Sequence, residues 1–109
     1  MELRQLAAFV ATAEHGSFSA AARELGVVQP AVSQAVRRLE ADLGLVLLTR
    51  STRRVTLTPA GEALLGPADA VLRRERALRR RAEEIVTGDF MSTHWLVSFA
   101  LLAATAEQP

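Results

Sequence analysis

The chain has 109 residues, half of them hydrophobic, which suits about one domain with a modest helical core and argues against disorder. It contains no cysteine, which excludes disulfides and thiolate metal sites and fits a reducing cytoplasm, the expected location. The formal net charge is only +1 but is unevenly spread: residues 37–54 hold five arginines against Glu40 and Asp42, and no lysine occurs anywhere.

Leu3, Leu6, Phe9, Val10 and Ala13 recur at helical spacing and predict a first amphipathic helix over residues 2–14, ended by His15-Gly16. Ser17 or Ser19 can cap a second helix with Phe18, Ala21, Ala22 and Leu25 on one side. Gly26 turns the chain. Pro30 falls in the first turn of a third helix, where its missing N–H does no harm, and Gly44 closes that helix. Two short helices joined by a glycine turn have the layout of a helix-turn-helix, at about residues 18–37.

Angles divide the third helix into two faces. With Gln29 at zero and about 100° per residue, Val32, Ala35, Val36, Leu39 and Leu43 fall within roughly 240–340° and should bury. Gln29, Pro30, Ser33, Gln34 and Arg37 fall between about 0 and 140° and should face outward. Amide, hydroxyl and guanidinium groups on one exposed face suit base edges and phosphates, and Pro30 can pack against a thymine methyl. Arg37 is expected on a phosphate. Arg38, at about 180°, is expected to be solvated or paired within the chain.

Residues 46–49 and 54–57 are short β-prone runs around Arg50-Ser-Thr-Arg53, which predicts a small hairpin with arginines at its tip. In that setting Arg50, Arg53 and Arg54 are expected on phosphate or in a minor groove. Thr58-Pro59 then opens a long helix to about Thr87, closed by Gly88 and bent at Gly66-Pro67.

Leu64, Ala68, Val71, Glu75, Leu78, Ala82 and Ile85 follow a 4-3-4-3-4-3 spacing in which only Glu75 is not apolar. That narrow seam is expected to pair two chains as a homodimer or a higher even-numbered oligomer. Glu75–Arg79 and Arg80–Glu84 are spaced for ion pairs on its flanks, and the arginine run at 73–81 reads as a solvated face. Residues 95–106 are largely apolar but too short for a bilayer span of about 20 residues, so no membrane association is expected. With His15 and His94 as the only histidines, no metal or other cofactor is expected. No phosphate loop or nucleophile elbow appears either, so no catalysis is expected.

Together these pieces resemble the N-terminal domain of LysR-type transcriptional regulators. The resemblance rests on Met1-Glu-Leu-Arg-Gln-Leu with Phe9-Val10, and on Gly16-Ser-Phe-Ser-Ala-Ala-Ala with Leu25. It continues through Gln29-Pro-Ala-Val-Ser33, Leu39-Glu40 with Leu43-Gly44, Leu47 with Arg50, and Leu57-Thr-Pro-Ala-Gly61, without gaps to about residue 87. It implies a mainly α fold: a winged helix-turn-helix at residues 1–58, a dimerising linker helix at 59–88, and an apolar tail of no assigned role at 89–109. The implied function is sequence-specific binding of double-stranded DNA at two-fold-related promoter sites. The alternative is an interaction module that heterodimerises with full-length relatives and modulates their DNA binding.

Three departures from the family pattern stand out. Val28 replaces the usual serine or threonine ahead of Gln-Pro, removing an N-cap worth about 1 kcal/mol. Leu48 stands where phenylalanine is frequent. The sizeable effector-sensing domain that normally follows the linker has no counterpart here, so no small-molecule inducer site is expected within this chain.

Overall fold

The computed structural model describes residues 1–51 and 54–88, so the expectations for Arg53 and for the tail at 89–109 lie outside the described residues. The chain divides into two compact units, Met1–Arg73 and Arg74–Pro109. Three helices, α1 (Leu3–His15), α2 (Phe18–Leu25) and α3 (Gln29–Leu43), come first. An antiparallel pair, β1 (Leu48–Arg50) and β2 (Val55–Leu57), follows, and α4 (Pro59–Thr87) comes last.

The helix ends follow from local chemistry. Gly16, Gly26 and Gly44 close α1, α2 and α3 in the left-handed conformation. Of the two candidate caps for α2, Ser17 is the one used: its side chain accepts from the Ala20 N–H at 3.2 Å. Thr58 caps α4 by accepting from the Gly61 N–H at 3.0 Å, while its own hydroxyl donates to the Val46 carbonyl at 2.6 Å. α4 continues through Pro67 without a break.

The first unit packs around α3. Val32, Val36 and Leu39 are at most 1% exposed and meet Leu6, Phe9 and Val10 of α1, with Ala21 and Ala22 of α2 permitting close approach. Each fully buried aliphatic side chain contributes about 1.5–3 kcal/mol. Leu43 departs from the expected arc. It is 39% exposed because it sits in the last turn, where it lines a shallow apolar groove with Leu64, Pro67 and Val71 instead of entering the core. Ala68 and Leu72, on the early part of α4, are buried in the same core.

The hairpin is shorter than the β-prone runs. Residues 46 and 47 are held by helices rather than by a strand partner: the Leu47 carbonyl accepts from Thr58 N–H at 3.0 Å, and its N–H donates to Glu40 Oε2 at 2.8 Å. Leu48 N–H reaches the same oxygen at 3.3 Å. Glu40 Oε1 in turn accepts from Arg50 Nη2 at 3.2 Å, and the Arg50 guanidinium lies 5.2 Å from the Phe18 ring centroid. One carboxylate on α3 therefore anchors the whole entry to the hairpin. The other strand is fastened by Val55 N–H on the Gly16 carbonyl at 3.2 Å.

Of the second unit, residues 74–88 are described. Glu75 and Arg79 form the expected ion pair, whereas Arg80 and Glu84 are not ion-paired with each other. The large apolar side chains of this charged segment are open: Leu78 is 70% exposed, and Ile85 and Val86 are exposed as well.

Two substitutions test this packing. A Cβ on Gly61 would overlap the Leu47 carbonyl and sit 3.0 Å from Leu57 Cδ2, so Gly61→Ala should lower unfolding free energy by about 1–3 kcal/mol in urea titration. Glu40→Ala strands two backbone donors and a half-buried guanidinium and should cost about 2–4 kcal/mol, with Glu40→Gln milder because an acceptor survives.

Candidate nucleic-acid interface

The exposed face of α3 begins where the chain leaves the α2–α3 turn. Val28 is the N-cap in extended backbone, with φ −79° and ψ 149°, and its side chain offers no oxygen to the first turn. Ala31 N–H bonds to the Val28 carbonyl at 3.1 Å, and Pro30 has no N–H to satisfy. The N-terminal end of α3 therefore presents its remaining amides and its partial positive charge to solvent.

Gln29, Pro30, Ser33, Gln34 and Arg37, the residues singled out by angle, share one open depression of ≈ 670 Å³. Arg38 and Ala41 complete its lining. Arg38, expected at about 180° to be solvated or paired within the chain, is exposed. No acidic side chain lines the depression, and neither Arg37 nor Arg38 is ion-paired among the described residues. Two unneutralised guanidiniums beside two amides and a hydroxyl can donate to phosphates and exchange hydrogen bonds with base edges.

The hairpin arginines separate. Arg50, expected at the tip, is the last residue of β1, and two-residue alternation puts it on the same inward face as buried Leu48. Its side chain is only 28% exposed, against Glu40 at 14%. The pair is thus largely withdrawn from solvent, and Arg50 serves to fix the hairpin on α3. Arg54 is exposed, in a turn closed by Ser51: Arg54 N–H donates to Ser51 Oγ at 3.1 Å, and its carbonyl accepts from that hydroxyl at 2.8 Å. The inward parity of Arg50 with Leu48 was present in the sequence and is the signal that distinguishes the two arginines.

The heptad positions of α4 also differ in setting. Ala68 is buried within the first unit and Leu64 packs against its core, while Val71 is 45% exposed. In the second unit Leu78, Ala82 and Ile85 are exposed. Among the described residues no group of three or more His, Asp or Glu is placed to hold a metal ion, and no helix is long and apolar enough to cross a membrane.

Similar proteins with this arrangement are regulators. The HTH-type transcriptional regulator PtxR of Pseudomonas aeruginosa is 57% identical over 72 residues, which is 66% of this chain and 23% of PtxR. A probable hydrogen peroxide-inducible genes activator of Streptomyces viridosporus is 49% identical over 83 residues, covering 76% of this chain and 27% of that protein. The chain thus spans about a quarter of the length of these curated relatives.

Among solved structures, the DNA-binding domain of CbnR in complex with DNA superposes with a TM-score of 0.71 at 46% identity, over 76% of this chain and 95% of that one. The DNA-binding domain of BenM on its catB site 1 DNA gives 0.72 at 37% identity, over 79% and 96%. Residues 3–62, more than half of the chain, match the model of the bacterial regulatory helix-turn-helix proteins of the lysR family, and the chain belongs to that family.

Proposed function

We propose that this chain binds double-stranded DNA as a dimer and acts in transcriptional regulation. In this reading the outward face of α3 enters the major groove, with Gln29 and Gln34 toward base edges, Ser33 toward a base edge or phosphate, and Pro30 against a thymine methyl. Arg37 and Arg38 grip the backbone, and Arg53 and Arg54 of the wing touch flanking phosphate or the minor groove. Arg50 acts one step back, as the residue that holds the wing in position. The single observation that carries the reading is the acid-free depression of α3, where both glutamines, Ser33 and two unpaired arginines converge. The similarity to CbnR and BenM domains solved on DNA supports it.

The pairing of two chains rests on the exposed part of the seam, Val71, Leu78, Ala82 and Ile85. A two-fold dimer presents two α3 helices and therefore fits a two-fold-related site. The same exposed seam supports a second reading, in which it pairs with a full-length relative and modulates that partner's DNA binding. A chain that shifts no DNA alone, yet forms heterodimers, favours that second reading.

Two measurements check the proposal. In a gel-shift salt series on a duplex enriched from a random pool, Arg37→Ala should weaken binding and flatten the log–log salt slope by about 0.9. An unchanged affinity and slope contradict the reading. In sedimentation, Leu78→Glu should convert dimer to monomer while leaving far-ultraviolet dichroism unchanged, because Leu78 is 70% exposed within its own chain.

A further inference from the structure

Val28 is the most exposed large apolar residue among the described residues of the first unit, at 70%, and only its backbone takes part in opening α3. It makes no cap hydrogen bond, and valine ranks among the poorest N-cap residues. Its position is the one immediately before Gln29, at the N-terminal end of α3 and beside the depression that Gln29 and Pro30 begin. In a helix-turn-helix that enters a major groove, the residues at this end approach base edges. Among those edges only the thymine C5-methyl offers an apolar group. Valine, with two methyls on a stiff χ1, presents a fixed apolar surface to such a group.

We infer that Val28 is a specificity-determining residue that reads a thymine by packing against its C5-methyl, next to the base pair contacted by Gln29. The inference rests on the DNA-binding reading above and assigns one position within it. Val28, Gln29 and Pro30 then form an apolar–amide–apolar row along the groove. Loss of the valine removes discrimination for the methyl and leaves the polar contacts of α3 in place.

Uracil differs from thymine only by that methyl, which makes the test specific. The full 109-residue chain and its Val28→Ser variant are measured, at one salt concentration, on the pool-enriched duplex and on duplexes with each thymine of the half-site changed singly to uracil. Serine supplies a better cap, so the variant keeps α3, which a thermal melt verifies. The expected result is a thymine in each half-site whose replacement weakens the native chain about four-fold, the worth of one buried methyl-sized group, and leaves Val28→Ser unaffected, whereas a thymine packed by Pro30 responds alike in both chains.

Three outcomes overturn the inference: an enriched half-site without thymine, a native chain indifferent to every uracil, or a Val28→Ser variant that keeps the native chain's response at every thymine. The last result transfers the methyl to Pro30 or another group. Arg37→Ala on the unmodified duplex is the separate control. If it binds as the native chain does, the underlying DNA reading fails, whatever the uracil series gives.

Discussion

The Glu40 carboxylate is the constraint on which the arrangement of the site depends. One oxygen takes the N–H groups of Leu47 and Leu48, and the other takes Arg50, whose guanidinium also covers Phe18. Charge-assisted bonds of this kind are roughly twice as strong as neutral ones, and here several converge on a side chain that is only 14% exposed. The Glu40 backbone is used as well: its carbonyl accepts from Leu45 N–H at 3.1 Å and from the Gly44 N–H that caps the helix. The end of α3, the turn after it and the first wing strand are therefore one rigid piece. A surface made of α3 side chains and wing side chains is useful only if their separation is fixed, and this residue fixes it.

The opposite end of the wing is held by contacts of a different kind. Val55 bonds to the carbonyl of Gly16 at the close of α1, and α4 presses its Gly61 against Leu47 with no room for a side chain. Thr58 joins the two by capping α4 and bonding to Val46. Hydrophobic burial of α3 against α1 supplies the bulk of the stability, and these polar fastenings decide where the exposed groups end up. That division explains why an exposed, polar, acid-free face can persist beside a tightly packed core.

Much of this was legible in the sequence, and the exceptions share a cause. Periodicity and caps located all four helices, because the 3.6-residue repeat and the glycine and threonine signals are local properties. Val32, Val36 and Leu39 were legible as core for the same reason. Leu43, Ala68 and Arg50 were not, since their settings depend on which element packs beside them. Leu43 lines an open groove with Leu6 and Leu64 at the end of α3, and Ala68 belongs to the first unit and its core. Arg50 was assigned to the tip by composition, although its parity with Leu48 directs it inward to Glu40.

The central claim is that the outward face of residues 29–38 is the principal surface that lies against the duplex, with the wing beside it. Amide chemical-shift mapping of the isotope-labelled chain, titrated with its pool-enriched duplex, tests this most directly. The account predicts that signals of residues 29–38, including the Gln29 and Gln34 side-chain amides, move first and furthest, with Ser51 and Arg54 of the wing following. Signals from that helix that stay in place while a different surface responds would contradict it.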